Sequence, residues 1–217
     1  MIHLIGEDHY DIDASDRYTV ALHRLQPDVI TLEKTLEDFK VDKVKFSATL
    51  PYLGGDEDCQ IAQNVREFLV RNPSYKKETA DAILETSIAE VIAIENYTLK
   101  NPKVKVLPVD PDWVDESPIT KKIVKHAEND YWMFEKSLQS LREMSEQEYD
   151  WNEDIKDLAG IEFYEKRDQY TADIIKQQKG TVVHMGAGLD HLFGNYNNLY
   201  EQLKEYGAIR YKLNEFE

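Results

Sequence analysis

Residues 2–10 read Ile-His-Leu-Ile-Gly-Glu-Asp-His-Tyr. Four mostly apolar residues are closed by a glycine, and the run then empties into Glu7, Asp8 and His9. An apolar run of this length bounded by glycine reads as a buried strand. A helix is predicted to open near Ser15 as its cap, with Tyr18, Ala21, Leu22 and Leu25 on one face, and Pro27 stops it. Residues 28–32, DVITL, follow as a second strand ending at Glu33. Strand, helix and strand fit within about 30 residues, the size of a βαβ crossover joining parallel strands.

The remainder of the chain repeats that alternation. Residues 46–58, FSATLPYLGGDED, hold Pro51 and Gly54-Gly55 and are expected to form a mobile surface excursion. Helices over 59–71 and 76–100 keep apolar residues at three and four spacing (Ile83, Ile88, Val91, Ile92), so a helical insertion over about 59–100 is predicted to pack on the sheet. A third strand, 103–109, ends at Asp110 between Pro108 and Pro111. Helix is expected from Ser117 to about residue 144, a polar loop over 146–154, and helix again over 160–178. A fourth strand, 181–185, runs into Gly186-Ala187-Gly188-Leu189-Asp190-His191; a helix over 197–206 and a strand over 208–213 close the chain. The expectation is an α/β fold over 1–217 as one domain, with a mainly parallel sheet flanked by helices on both faces.

Composition narrows the function. The 217 residues carry 42 acidic and 26 basic side chains, a formal net charge of −16. Such a field repels phosphate, and no Lys/Arg block is rich enough to displace counterions, so a nucleic-acid partner is not expected. Cys59 is the only cysteine, so neither an intramolecular disulfide nor a thiolate metal site is read here. Its neighbours Asp56, Glu57 and Asp58 disfavour a thiolate, which makes it a packing residue. No stretch approaches the roughly 18 to 20 apolar residues of a membrane span, and the N-terminus lacks a signal-peptide layout. A cytoplasmic protein is expected.

Four strands thus end at polar or titratable groups: Glu7, Asp8 and His9, then Glu33, then Asp110, then Asp190 and His191. In a parallel sheet all those carboxyl ends lie on one edge, where open α/β folds place their ligands. Two chemistries fit such a group. Two imidazoles with carboxylates make an oxygen and nitrogen site for a divalent ion such as zinc, manganese or cobalt, with His9, His191 and Glu33 as ligands and a bound water as nucleophile. Without metal, His9 or His191 serves as general base, with Glu33 or Glu7 orienting it or holding a proton. Both describe hydrolysis. Gly186-Ala187-Gly188 opens like a dinucleotide fingerprint, but position 191 is His, so no nucleotide site is read.

Arg167, beside Asp168 on the helix before the fourth strand, either reaches the cleft to orient a substrate carboxylate or carbonyl or forms a surface ion pair. Asp110 is a candidate for substrate binding or a turn residue. Gly186 and Gly188 are placed beside the substrate, and Trp113 could wall the cleft. His3 and His184 fall inside strands and read as core or sheet-surface residues, His23 as helix surface.

Gly6-Glu7-Asp8-His9, Pro27-Asp28-Val29-Ile30-Thr31-Leu32-Glu33, Val109-Asp110, Arg167-Asp168 and the run Gly186 to His191 form an ordered set. The pattern resembles the TraB/PrgY proteins, which are similar in turn to the TIKI proteases, the GumN-like proteins and the erythromycin-esterase and ChaN superfamily. The resemblance implies a metal-dependent, hydrolase-like scaffold in which the two G-x-x-H histidines, His9 and His191, and the strand-end Glu33 are essential. It also implies several chemistries on one architecture: TIKI proteins as metalloproteases, erythromycin esterases opening a lactone with a histidine base, PrgY-like members limiting a peptide pheromone, ChaN binding haem. Two positions depart from the pattern. Glu7 stands where TraB proteins commonly carry Thr, and Leu189-Asp190 is extra relative to the usual G-A-G-H, which shifts the histidine.

The functional expectation is a hydrolase acting on a peptide or ester bond of a peptide or small-molecule substrate. His9, Glu33, Glu7 and Arg167 are its catalytic set, and Arg167, Asp110, Gly186 and Gly188 its substrate contacts. The alternative is a non-catalytic binder that sequesters a peptide or haem in the same cleft. Long helices at 76–100 and 117–144 offer surfaces for a homo-oligomer.

Overall fold

The computed structural model describes residues 1–49, 76–86, 88–113, 133, 135–150 and 160–217. Cys59, the excursion beyond residue 49, the helix expected over 59–71 and the whole stretch 117–132 lie outside the described residues. Five strands, β1 (Ile2–Glu7), β2 (Val29–Leu32), β3 (Lys105–Pro108), β4 (Val182–Gly188) and β5 (Ala208–Lys212), form one sheet in the order β3-β2-β4-β1-β5. All four pairings are parallel, as the short crossovers predict. β1 is buried along its whole length and β4 along all but its last residue, which is what apolar strands flanked by paired neighbours and covered on both faces require. Pro108 is tolerated because β3 is an edge strand.

Helices cover both faces. α1 (Ala14–Leu25) buries Ala14, Tyr18, Ala21 and Leu22, a stripe at three and four spacing, and stops where Gln26 turns left-handed (φ 48°) ahead of Pro27. Its first-turn cap is not Ser15. The helix begins a residue earlier, and the Asp13 carboxylate at its N-cap makes no cap bond because Arg142 holds it (2.7 and 2.9 Å). Between β2 and β3 lie α2 (Leu36–Thr49), α3 (Lys77–Thr86) and α4 (Ala89–Lys100). α4 joins α1 against the side chains of Ile5, Ile30, Leu32, Val183 and Met185. On the opposite face, α6 (Ile161–Lys176), the single turn α7 (Asp190–Phe193) and α8 (Leu199–Leu203) pack against Ile2, Leu4, Val29 and Val182. Among the described residues no helix is long and apolar enough to cross a membrane.

Three local expectations are corrected. The helix expected over 76–100 is broken near residue 88. The Thr86 hydroxyl donates to the Ala82 carbonyl (2.9 Å), a back-bond that competes with the helix ladder. The loop expected from residue 146 is helical to Asp150: α5 (Leu138–Asp150) sets Leu141, Ser145 and Tyr149 inward at intervals of four, and burial of that face outweighs the polarity of the segment. α2, finally, continues to Thr49, into the stretch expected to form a surface excursion from residue 46.

The exits of the strands define a crevice. β1 and β2 leave toward the α1/α4 face, whereas β4, lying between them, leaves toward the α6/α8 face. Neighbouring strands with oppositely directed exits open a gap above the sheet at their carboxyl ends. β4 also carries a bulge there: Leu4 pairs with His184 but Gly6 pairs with Ala187, so Met185 and Gly186 together face Ile5. Gly186 absorbs the extra residue at φ +78°, and an added Cβ would stand 3.1 Å from Glu90 Oε1. Gly207 has nearly the same φ (+76°) with nothing near its would-be Cβ. Gly207→Ala is therefore expected to lose about 1–2 kcal/mol, the cost of a left-handed Ala. Gly186→Ala loses more, because steric repulsion adds to the same strain; urea unfolding of the two variants side by side measures the difference.

Candidate functional site

The bulge frees the Gly186 N–H from the strand ladder, and it donates to the Tyr18 hydroxyl (3.0 Å). Tyr18 in turn donates to Glu7 Oε2, and Glu7 Oε1 holds His9 Nδ1 at 3.0 Å. Backbone strain in β4 is thus wired to the imidazole at the end of β1 through one buried phenol. With the fields of Glu7 and Glu90 around it, burial keeps the Tyr18 hydroxyl protonated.

His9 leaves 65% of its side-chain surface open to solvent. Crowding by surrounding protein disfavours its charge, but the hydrogen bond to Glu7 and the fields of Glu7, Glu33 and Glu90 outweigh it and hold the pKa up at about 9. Since the ring keeps solvent contact, the direction of the shift rests on its carboxylate neighbours.

A second cluster stands on the other side of β4. Arg167, expected either in the cleft or on the surface, is in the cleft, with only 16% of its side chain exposed. Its Nε and Nη2 fork onto Asp110 (2.7 and 2.5 Å), and Nη2 also reaches Glu33 Oε1 at 2.7 Å. His191 is buried, with Nδ1 2.5 Å from Asp168 Oδ1 and Nε2 3.5 Å from both Glu33 Oε1 and Arg167 Nη1. Asp168 is fixed from behind by the Tyr196 hydroxyl and the Leu199 N–H, each at 3.1 Å. Burial works against the His191 charge, yet Glu33 and Asp168 raise its pKa. Burial likewise raises Asp110, against the pull of Arg167.

Gly188 separates the two imidazoles. A Cβ there would lie 3.3 Å from His9 Nε2 and 3.8 Å from His191 Cδ2, so the two rings flank one backbone position. The structure therefore gathers Glu7, His9, Glu33, Asp110, Arg167, Gly186, Gly188 and His191 at the carboxyl rim of the sheet. The extra Leu189-Asp190 is absorbed by α7: the Leu192 and Phe193 N–H groups both bond to the Leu189 carbonyl, and this turn brings His191 to Asp168. Trp113 meets Phe163 edge-on (5.6 Å), and Phe163 meets Tyr164, whose ring is 5.6 Å from His191.

Two of the three residues read as metal ligands, Glu33 and His191, are engaged with a protein cation. The Arg167 guanidinium contacts both Glu33 Oε1 (2.7 Å) and His191 Nε2 (3.5 Å), so positive charge already sits against that pair. Among the described residues no group of three His, Cys, Asp or Glu side chains converges in a way that could hold a metal ion.

Several members of the site carry no sequence signal strong enough to single them out. Tyr18 reads as one more apolar residue of the α1 stripe. Lys34 bonds to Asp42 (3.0 Å) and lies 3.6 Å from Glu90, and neither acid belongs to a motif. Glu90 does leave a trace: in IAEVIAI it is the lone charge on an apolar face. Its Oε2 is buried without a hydrogen-bond partner among the described residues. Comparison with protein-family models, curated proteins and solved structures returned no match, so the TraB-type resemblance rests on the motifs alone.

Burial, reinforced by Glu7, pushes the Glu90 carboxyl from 4.5 up to about 7. A carboxyl whose folded pKa is raised stabilises the fold while protonated, and that stability is lost as pH rises from about 4.5 through about 7. Glu90→Gln, which mimics the protonated form, is expected to be more stable than the parent at pH 8, by on the order of 2–3 kcal/mol. Melting curves at pH 8 and pH 5 check this; the gain shrinks toward the lower pH.

Proposed function

We propose that the cleft hydrolyses an ester or peptide bond, with His9 as the general base. The observation that carries this reading is the pair of imidazoles on either side of Gly188, each fixed at Nδ1 by its own carboxylate, with His9 open to solvent. An imidazole held in this way presents Nε2 in a fixed tautomer and orientation, which is what proton transfer from an attacking water requires. His9 takes the proton as the water oxygen bonds to the carbonyl carbon, then returns it to the leaving oxygen or nitrogen as the scissile bond breaks. Glu7 steadies the imidazolium between those steps. Arg167 and His191, anchored by Asp110, Glu33 and Asp168, offer N–H donors on the side where the carbonyl oxygen gains charge. The mechanism uses no metal ion. A single cysteine and the absence of a disulfide requirement fit a cytoplasmic setting.

A base with a pKa near 9 is free only above that value, so kcat/KM on a panel of chromogenic esters and peptides is expected to rise about tenfold per pH unit up to about 9 and then level. Glu7→Gln lowers the midpoint of that rise, because the carboxylate that holds the proton on His9 is gone. His9→Ala lowers kcat/KM by about 10²-fold to 10⁴-fold, and chelation leaves the parent rate unchanged. A profile whose midpoint ignores Glu7→Gln would contradict the assignment. Binding of the panel without turnover, even above the His9 pKa, would favour a protein that sequesters its ligand.

A further inference from the structure

Beside His9 the rim opens into two cavities that share Tyr10, Met133 and Leu141 as walls. The one nearer the imidazole measures about 150 Å³ and is closed by Ile83 and Thr86. The farther one, about 280 Å³, has a different character along its length. Met133, Leu141 and Met144 give it apolar walls, and its other side is polar, built from Asp8, Ser145 and Glu148. Methionine suits an apolar wall that must adapt to its contents.

The polar side is left incomplete. Ser145 is only 2% exposed, and its hydroxyl has no hydrogen-bond partner among the described residues. Asp8 Oδ2 is buried and unpartnered as well, while Oδ1 accepts from the Tyr10 N–H (3.2 Å). Burial pushes the Asp8 carboxyl up to about 6, and the nearby Ser145 hydroxyl pulls only partly the other way, so the carboxylate is left short of donors. Glu148 is exposed at the mouth. Buried polar atoms normally find partners, so two orphaned oxygens facing one cavity mark a place where a donor belongs. With two acids and a hydroxyl acceptor around it, the fitting donor is a cation.

We propose that this cavity is a subsite for an apolar ligand bearing an ammonium group, its body against Met133, Leu141 and Met144 and its charged head at Asp8, Ser145 and Glu148. The inference deepens the hydrolase reading and rests on it for one point, that the ligand is part of the substrate. Amine-bearing esters or peptides with a free amino end beside an apolar side chain are then the preferred class. His9 lines only the smaller cavity and Asp8, Ser145 and Glu148 only the larger, so the scissile bond and the ammonium group would occupy adjoining cavities.

The test uses the full chain and a matched pair of probes without a hydrolysable bond, 3-phenylpropylamine and 3-phenylpropanol, titrated calorimetrically at neutral pH and low salt. The amine is expected to bind on the order of tenfold more tightly, with the advantage shrinking as salt is added. Glu148→Gln brings the two probes close to parity, Asp8→Asn does the same, and Met144→Trp fills the cavity and removes binding of both. Thermal melts report whether each variant folds, and the exposed position of Glu148 keeps that variant interpretable. Equal affinity for the two probes, binding of neither, or a preference unchanged in Glu148→Gln would overturn the subsite. Amine binding without ester or peptide turnover would leave the subsite standing and remove the hydrolase reading; turnover indifferent to the amine would do the opposite.

Discussion

The donation from the Gly186 N–H to the Tyr18 hydroxyl is the interaction on which the site depends. It exists because β4 carries one residue more than β1 between paired positions, and a residue at φ +78° turns its N–H out of the ladder. That N–H faces a buried phenol on α1, which satisfies it and passes the constraint on to Glu7. The consecutive elements β1 and α1 are locked to the distant β4 by two hydrogen bonds before any proton transfer is considered. The register reinforces this. Val182 pairs with both Ile2 and Val29, so the three central strands rise level and their ends arrive at one height.

Pleat then decides which side of β4 each acid serves. Glu7 continues the face of His3 and Ile5 and points to Tyr18, whereas Glu33 follows Leu32 onto the opposite face and meets Arg167. One rim consequently holds two electrostatic clusters of different kinds. Around Arg167 the charges are close to balanced and mutually hydrogen-bonded, the condition under which a buried ion pair is tolerated. Around Glu7 the carboxylates outnumber the cations, so protons are retained on His9 and Glu90 instead. The acidic excess of the whole chain is the background to this local excess, but burial next to Tyr18 and Gly186 is what gives it force.

Much of this was legible from residues alone. β1, β2 and β4 are short apolar runs whose ends are marked by glycine or charge, and a crossover of fixed length admits only parallel pairing. From that, the gathering of His9, Glu33, Asp110 and His191 on one edge follows. What sequence could not convey was the partner of each group. Tyr18 and Leu22 are equivalent in a helical stripe, and only coordinates show that the Tyr18 hydroxyl meets a freed N–H. The polar appearance of residues 146–150 concealed a helix because one inward face, Ser145 and Tyr149, is enough to bury it. The added Leu189-Asp190 read as a displacement of His191, yet an insertion at a strand end is absorbed by a turn of helix when that turn can bond to its own first carbonyl.

The two imidazoles differ in one respect that sets the direction of approach. His191 is buried beside Tyr164 and contacted at both ring nitrogens, and its Cδ2 faces the Gly188 backbone. His9 is open and lies on the wall of the apolar cavities next to α3 and α5. Under the hydrolase proposal, a substrate entering from the α3/α5 side would touch His9 first and end with its reacting carbon over Gly188. There a side chain of any size would stand between the rings, which explains the glycine without invoking its backbone freedom. Under that proposal specificity would belong to the helices that form the entry wall, and chemistry to the strand ends beneath it. The same sheet edge can then serve ligands of different shape as the wall residues change.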